Sequence, residues 1–505
     1  MESLNLALWT LIVGALCLLF FFLHYKAHFW ERKNTPHLRP ILIFGNTVSF
    51  FFQTVPITKF VNDIYNSFPN AKYFGMMDIH TPIAVLRDPD LIKEICVKNF
   101  DNFLDHQAFI DETMDPIFGK NVFSLKGERW REVRNTLSPS FTATKMKFMF
   151  ELIEKCAKNF VQYYMEHPEM TESIESKDAF TRYTNDVIAT AAFGISVDSL
   201  KDRENEFYLM GKDATAFGKG LRALKFLIFR TCPQIMKLIG EPFLARSTDR
   251  FFKNLVSETV KVRKEKNIIR PDMIHLMMEA SNKENGVKLT IDDIIAQSFI
   301  FFLAGFDTTA TAMCFVAHEL AMNPEIQDKL RNEIDTFTEN REEKITYETI
   351  SKMKYLDMVI SEALRKYPPA PSTDRLCIKK YTLPKATPDS EEYTALPKSV
   401  VWIPIQGLHH DPKYYPDPEK FDPERFNDEN KDKIHPYAYL PFGIGPRKCI
   451  ANRFALMETK ILIVYILQKF ILEKSVKTKH PIEFQKGFAI VAKGGLWVKF
   501  TKRDN

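Results

Sequence analysis

Between Thr290 and Met322 nothing in the sequence stops a helix. Thr290 and Asp293 form a T-x-x-D capping box at the start, and no breaker follows until Asn323-Pro324. These 33 residues would run roughly 50 Å at 1.5 Å per residue. A rod of that length crosses a whole domain, so its middle should be buried. The rest of the chain agrees with a helical body. Glu151–Glu166 and Asn254–Lys266 carry apolar residues at helical spacing, while strand-like runs are confined to Ile83–Arg87, Val400–Pro404 and Leu496–Thr501. No linker, repeat or low-complexity tract follows residue 46, so residues 47–505 read as one large domain. The expected class is mainly α with small β-sheets.

The middle of the rod breaks three local rules in one turn. It reads Ala304-Gly305-Phe306-Asp307-Thr308-Thr309, flanked by the apolar SFIFFLAGF. Glycine costs about 1 kcal/mol in a helix interior. A carboxylate is expensive in a core, and threonine bonds back to a carbonyl and bends the helix. Such inconsistencies concentrate at functional sites. The reading is a void at Gly305 that admits a ligand, with Asp307 and Thr308 beside it to relay protons.

Leu4–Leu23 holds 20 residues without a charge, enough for one bilayer crossing. Lys26, Arg32 and Lys33 follow it against Glu2 before it, which places the remainder on the cytoplasmic side. A cleaved signal peptide fits poorly, because there is no charged leading region and no small-x-small site. Residues 1–25 are therefore read as a transmembrane signal anchor. Residues 26–46 are read as a stiff connector carrying Pro36, Pro40 and Gly45. Gly218–Phe243 mixes apolar residues with Lys219, Arg222, Lys225 and Arg230. A second contact with the membrane surface and an ordinary helix pair with one buried face both fit it. The net charge of +5 is too dilute for a nucleic-acid partner.

Seven scattered cysteines, none in a CxxC, suit a reducing compartment and exclude zinc knuckles. One stands apart. Cys449 ends PFGIGPRKC, a Gly/Pro-rich loop that feeds a helical pattern. Backbone N–H groups at a helix start favour a thiolate, and Arg447 and Lys448 add positive charge. Such a thiolate serves as a metal ligand or as a nucleophile. The nucleophile needs a histidine partner, and none lies within twelve residues. A lone thiolate ligand fits haem.

Phe442, Gly445, Arg447 and Cys449 match the F-x-x-G-x-R-x-C signature, and the chain resembles the cytochrome P-450 haem-thiolate monooxygenases of the microsomal type. It looks most like the insect group that metabolises foreign compounds. It departs at Ala451, where that family usually has glycine. Four further motifs occur in the family's order: Trp130-x-x-x-Arg134, Ala304-Gly305-x-Asp307-Thr308, Glu362-x-x-Arg365 and Pro423-Glu424-Arg425-Phe426. The resemblance implies the P-450 fold and haem b, with Cys449 as the axial ligand of its iron, donating electron density that favours O–O cleavage. It implies Asp307 and Thr308 as the proton relay, with Ala304 and Gly305 against the cofactor. Trp130, Arg134, Arg375 and Arg447 would hold the haem propionates, with Phe442 in the cysteine loop. Glu362, Arg365 and Arg425 would form a buried charge cluster behind the haem.

The same resemblance implies dioxygen as co-substrate and electrons from NADPH through a separate flavoprotein reductase. No flavin or nicotinamide fingerprint is present in this chain. Lys126, Arg129, Arg131 and Lys448 are candidates for the docking face. The implied setting is the endoplasmic reticulum membrane, with a single-pass anchor. Phenylalanine is abundant, 43 against 17 Tyr and 5 Trp, which fits either a Phe-packed core or a Phe-lined cavity. As a lipophilic pocket the expected contacts are Phe103, Phe109, Ile117, Phe118 and Phe123, then Phe299, Phe302, Leu303 and Phe306. Ala370, Ser372, Thr373 and Phe488 complete the set. The competing functions are detoxification of foreign lipophiles, a narrow biosynthetic hydroxylation of an endogenous lipid or hormone, and a non-catalytic haem-containing ligand sink.

Overall fold

The computed structural model describes residues 2–107, 110, 112–216, 221–270, 272–281, 289–338 and 345–503. The rod is present as α8 of the helices named here. These are α1 (Glu2–Ala27), α2 (Gly127–Leu137), α3 (Ala143–Glu166), α4 (Ser176–Ile188), α5 (Leu221–Thr231), α6 (Pro233–Ile239), α7 (Arg246–Lys266), α8 (Ile291–Met322), α9 (Lys354–Lys366) and α10 (Asn452–Lys469). The α8 capping box is formed as expected: Asp293 N–H donates to Thr290 Oγ1 at 3.2 Å and Thr290 N–H to Asp293 Oδ2 at 2.9 Å. Helix α8 packs against α4, α7, α9 and α10 and forms the axis of the body.

Among the described residues nine strands make three small sheets: β1 (Tyr73–Asp78), β2 (Thr81–Leu86), β3 (Ile174–Glu175), β4 (Thr373–Leu376), β5 (Tyr381–Leu383), β6 (Tyr393–Ala395), β7 (Val400–Ile403), β8 (Phe470–Lys474) and β9 (Trp497–Lys502). The largest has the order β1-β2-β7-β4. Strand β2 pairs in parallel with β7 (Val85 opposite Trp402), and β4 pairs antiparallel with β7 (Arg375 opposite Val401). This register sets Asp374 and Trp402 side by side on one sheet, far apart in sequence.

Two helices are long and apolar enough to cross a membrane. Helix α8 is mostly buried in the body and needs no membrane. The segment Asn5–Ala27 has no buried residues in its apolar stretch. Just past it, Trp30 is buried and donates Nε1–H to Met76 O at 2.9 Å. A side chain at Gly75 would strike the Trp30 ring at 2.2 Å, so glycine there lets the ring seat on β1. Residues 36–46 lie along β1 rather than standing clear of it: Gly75 N–H donates to Pro36 O and Asn46 N–H to Met77 O. In the region read two ways from sequence, α5 and α6 have both a buried and an exposed apolar side. Phe229 and Met236 are buried, whereas Leu221, Leu224, Ile235, Leu238 and Ile239 are exposed.

Candidate active site

The cysteine loop is built by its glycines. Gly443 and Gly445 sit at φ 73° and 70°, where side chains are strained. At Gly445 a Cβ would lie 2.1 Å from Cys96 O, so the loop backbone rests directly on that turn. Cys449 N–H donates to Phe442 O at 2.8 Å, closing the loop just ahead of α10. Cys449 is exposed. Crowding by protein pushes its thiol up, while the Ala451 N–H and the Arg134 charge pull it down. The positive neighbour is thus Arg134 rather than Arg447, which faces elsewhere. Lys448 is exposed.

The central helix α8 has an open stripe. Helix α10 begins immediately after Cys449 and packs on α8. In the middle of α8 Ala304 and Thr308 are exposed, one turn apart, between buried neighbours on both sides. The Thr308 hydroxyl donates to Ala304 O at 2.6 Å. The opening is therefore at Ala304 and Thr308, not at Gly305 as expected. A Cβ on Gly305 would meet Ile188 Cδ1 at 2.5 Å. Its glycine serves the close packing of α4 on α8. Asp307 is not a core carboxylate either, its side chain being 40% exposed. Lys177 of α4 holds it, with Nζ 2.8 Å from Asp307 Oδ1 and donating also to Asp307 O at 3.0 Å and Thr311 Oγ1 at 2.7 Å. Sequence reading missed Lys177, which lies 130 residues away.

Two arginines converge on the cysteine loop and a third reaches out of it. Arg134 donates to Lys448 O at 2.8 Å and Arg375 to Ile444 O at 2.8 Å. Arg447 reaches back to Leu104 O, Leu125 O and Asp105 Oδ1 at 2.9, 2.8 and 3.0 Å, and its guanidinium lies 4.0 Å from the Trp130 ring centroid. Arg375 is buried, yet its Nε has no hydrogen-bond partner among the described residues. An orphaned buried guanidinium N–H is costly and calls for an anion beside the loop. A thiol at the loop, an open stripe on α8 and an unsatisfied guanidinium N–H fit a flat, acid-bearing prosthetic group such as haem.

Behind the loop the Glu362–Arg365 pair of α9 is fully buried and bidentate at 2.7 and 2.9 Å. Arg425 Nε approaches Glu362 Oε1 at 3.4 Å, and Asp422 N–H donates to the same oxygen at 2.9 Å. Arg365 also donates to His409 O and Pro418 O, at 2.9 and 2.8 Å. His409, unnoticed in the sequence, bridges the two regions. It is buried, its Nδ1 meets Arg365 O at 3.1 Å, and its Nε2 accepts from Leu440 N–H at 2.8 Å, where the cysteine loop starts. Burial and the Arg365 charge push its pKa down to about 3, so the ring stays neutral.

The phenylalanines divide between core and cavity. Phe118, Phe123 and Ser372 line a cavity of about 270 Å³. Phe103 is buried in a separate core cluster against Tyr381, with centroids 5.4 Å apart. Phe299, Phe302 and Phe306 are also core: Phe302 packs on Phe207 and Phe252 at 5.0 and 4.8 Å, and Phe306 on Tyr208 at 5.8 Å. They project from α8 toward α7 and its neighbours, away from the open stripe. Ala370 is exposed, and Thr373 pairs with Ile403 in the sheet. Phe488 packs at 4.7 Å on Phe50, which itself lines the cavity. Phe109 lies outside the described residues. Sequence reading missed Phe50, Phe60, Ile110, Trp402, His106 and Asp374, which complete the cavity from four separate segments.

A mainly helical body with a lone cysteine on a glycine-built loop, an open stripe on its central helix and an unsatisfied buried guanidinium defines a single-thiolate prosthetic-group protein. The Cytochrome P450 family model matches residues 36–498. The chain is 47% identical to "Cytochrome P450 9e2" of Blattella germanica, over 99% of both chains. It is 40% identical to "Probable cytochrome P450 9f2" of Drosophila melanogaster, over 94% of this chain and 95% of that one. It is 35% identical to "Cytochrome P450 6j1" of Blattella germanica, over 96% of each. The chain belongs to the cytochrome P450 family. It has the fold of that family and is a monooxygenase, an oxidoreductase whose haem iron takes a cysteine thiolate.

Proposed function

We propose that this enzyme oxidises lipophilic foreign compounds, such as insecticides, plant compounds and drug-like molecules, by hydroxylation, epoxidation or dealkylation. The observation that carries this reading is a cavity with Phe118, Phe123, Phe50, Phe60 and Trp402 in its wall. The haem supplies the oxygen-activating chemistry, with Cys449 as its thiolate ligand. Thr308 presents a hydroxyl on the open stripe and passes protons there, and Asp307 resupplies them when Lys177 releases its carboxylate. Arg134 and Arg375 hold the propionates, with the orphan Arg375 Nε as one donor, while Trp130 and Arg447, expected there too, stack on each other and brace the loop. Phe442, Ala304 and Gly305 line the cofactor slot or its support. Glu362, Arg365 and Arg425 keep the loop in register from behind.

Electrons come from an NADPH-dependent flavoprotein reductase. Of the four basic residues considered for its docking face, Arg129 is paired with Glu132 and Asp293, and Arg131 with Asp101 and Glu128. Lys126 and Lys448 are exposed and carry the face. Residues 1–25 anchor the protein in the endoplasmic reticulum membrane with its catalytic domain, residues 47–505, on the cytoplasmic side. The exposed apolar side of α5 and α6 rests on that membrane.

The test is the carbon monoxide difference spectrum of reduced, detergent-solubilised protein, with Cys449→Ser beside it. A red-shifted Soret band, lost in the variant, supports the assignment. An unshifted band from folded wild type overturns it. With the reductase added, NADPH-dependent product from structurally diverse lipophiles supports foreign-compound oxidation, whereas turnover of a single endogenous lipid points to a biosynthetic hydroxylase.

A further inference from the structure

One wall of the cavity is charged in a way that lipophilicity does not explain. Asp374 lies on β4 and its side chain keeps 25% of its surface open. Gln107 N–H donates to Asp374 Oδ2 at 2.6 Å, and His106 Nδ1 meets Oδ1 at 3.1 Å. Both donors are neutral once His106 is neutral. Burial pushes the His106 pKa down, more than the bond to Asp374 lifts it. Burial also pushes the Asp374 carboxyl up, but His106, the Gln107 N–H and the charge of nearby Arg375 outweigh that and hold it below the usual carboxylate range. Asp374 is therefore held as a carboxylate, with Arg375 acting on it only at a distance. Among the described residues no lysine or arginine forms an ion pair with Asp374.

The other two full charges lining the cavity are committed to each other. Arg230 and Asp78 line it as a mutual ion pair, and Asp78 also accepts from Thr47 Oγ1 at 2.9 Å. Arg375, next in sequence, turns its Nη2 to Ile444 O in the cysteine loop and its Nη1 to the backbone oxygen of Asp374. Around Asp374 the cavity is walled by the rings of Phe60, Phe123 and Trp402. A carboxylate lacking a cationic partner, set in an aromatic wall, is the chemistry that holds an organic ammonium group. The cavity wall is joined in sequence to segments tied to the cysteine loop. Its residues His106, Phe123, Ser124 and Asp374 directly adjoin or flank Asp105, Leu125 and Arg375, the residues tied to Arg447 or to the cysteine loop.

We propose that Asp374 makes this cavity a binding site for lipophilic cations, chiefly protonated amines with an aromatic or aliphatic tail. The inference rests on the monooxygenase reading above and names the substrate class of that cavity. Asp374 fixes the ammonium end, and the apolar walls take the tail.

The experiment uses the full-length haem-loaded protein in a non-ionic detergent and three probes of one shape. These are 4-phenylbutyl-trimethylammonium, its neutral tert-butyl isostere, and a carboxylate analogue of the same length. A quaternary ammonium cannot ligate iron, so its binding reports the cavity alone. Dissociation constants are measured by calorimetry. In wild type the cation is expected to bind at least tenfold tighter than the carboxylate. Asp374→Asn is expected to lower the cation-to-neutral affinity ratio about tenfold, and Asp374→Glu to retain most of it. An unchanged ratio in Asp374→Asn overturns the proposal. So does wild type that binds the carboxylate as well as the cation, a result that needs no variant to fold. A wild type lacking the thiolate Soret band overturns the underlying monooxygenase reading instead, which separates the two failures.

Discussion

Gly305 separates two accounts of the central helix by the sign of one substitution. If its missing side chain leaves room for a ligand, Gly305→Ala fills empty space. The helix then gains about 1 kcal/mol from the better propensity of alanine. If glycine is there because α4 packs against it, the new Cβ meets Ile188 Cδ1 at 2.5 Å and Cγ1 at 3.0 Å. Ile188 is buried and cannot swing into solvent. Overpacking of this kind costs about 1–3 kcal/mol. Set against the propensity gain, the net is a destabilisation of about 0–2 kcal/mol. Ile188→Val removes Cδ1, the nearer atom, and by itself costs about 0.5–1.5 kcal/mol. In the double variant the Cβ has space, so the two changes should couple favourably by about 1–2 kcal/mol. The assay is urea unfolding of the haem-loaded protein, followed by its Soret band, for wild type, both single variants and the double. A Gly305→Ala protein stabilised by about 1 kcal/mol, with additive effects in the double, refutes the packing account and restores the void.

Glu362→Gln keeps the shape but removes the charge shared by Arg365 and Arg425. A broken buried pair costs about 3–5 kcal/mol, so haem-loaded protein should fall to a small fraction of the wild-type yield, read by carbon monoxide spectrum per milligram of protein. His409→Leu orphans the Leu440 N–H at the start of the cysteine loop, at about 1–3 kcal/mol. Its carbon monoxide band should shift in part toward the unligated position, and His409→Gln, which keeps an acceptor, should restore it. Asp186 sits buried with its pKa pushed up to about 7, by desolvation that outweighs its bonds from Ser199 and Asn185. The fold therefore favours the protonated acid. Stability from this group is complete below an unfolded value of about 4 and is lost as pH rises through about 7. Asp186→Asn should remove that slope, measured as unfolding midpoints between pH 4 and 8.

The residues legible in the sequence are those whose role depends on near neighbours. The Thr290–Asp293 box, the Gly443–Cys449 loop and the Glu362–Arg365 pair all close within eight residues, and each forms with the geometry its spacing implies. Helix direction is the first place where legibility ends. Ala304, Phe306 and Thr308 share two turns of α8, but only tertiary packing decides which arc is open. The aromatic arc is the one that packs inward, so Phe302 and Phe306 belong to the core and the small Ala304 to the site. The cavity wall was hidden for a different reason. Phe50, His106, Asp374 and Trp402 come from four segments, and the β4–β7 pairing that sets Asp374 beside Trp402 has no local signal. Lys177 was hidden likewise, since a lone lysine near a helix start reads as surface charge.

The loop arginines show why motif and mechanism are not the same unit. Read as a pattern, Arg447 is a cofactor ligand beside a cysteine. In the structure its guanidinium is saturated by four carbonyls, Asp105 and the Trp130 face, so its first task is to pin residues 104–105 and 122–125 to the loop. Arg134 and Arg375 each spend one N–H group on a loop carbonyl and keep others for an anion. The same charges thus shape the loop and balance whatever acid lies against it. Removing Arg375 would leave Ile444 O without its donor and the anion without its partner. The expected loss therefore combines a displaced cysteine with weaker cofactor retention, and a charge-neutral Arg375→Gln that refills only the carbonyl bond separates the two.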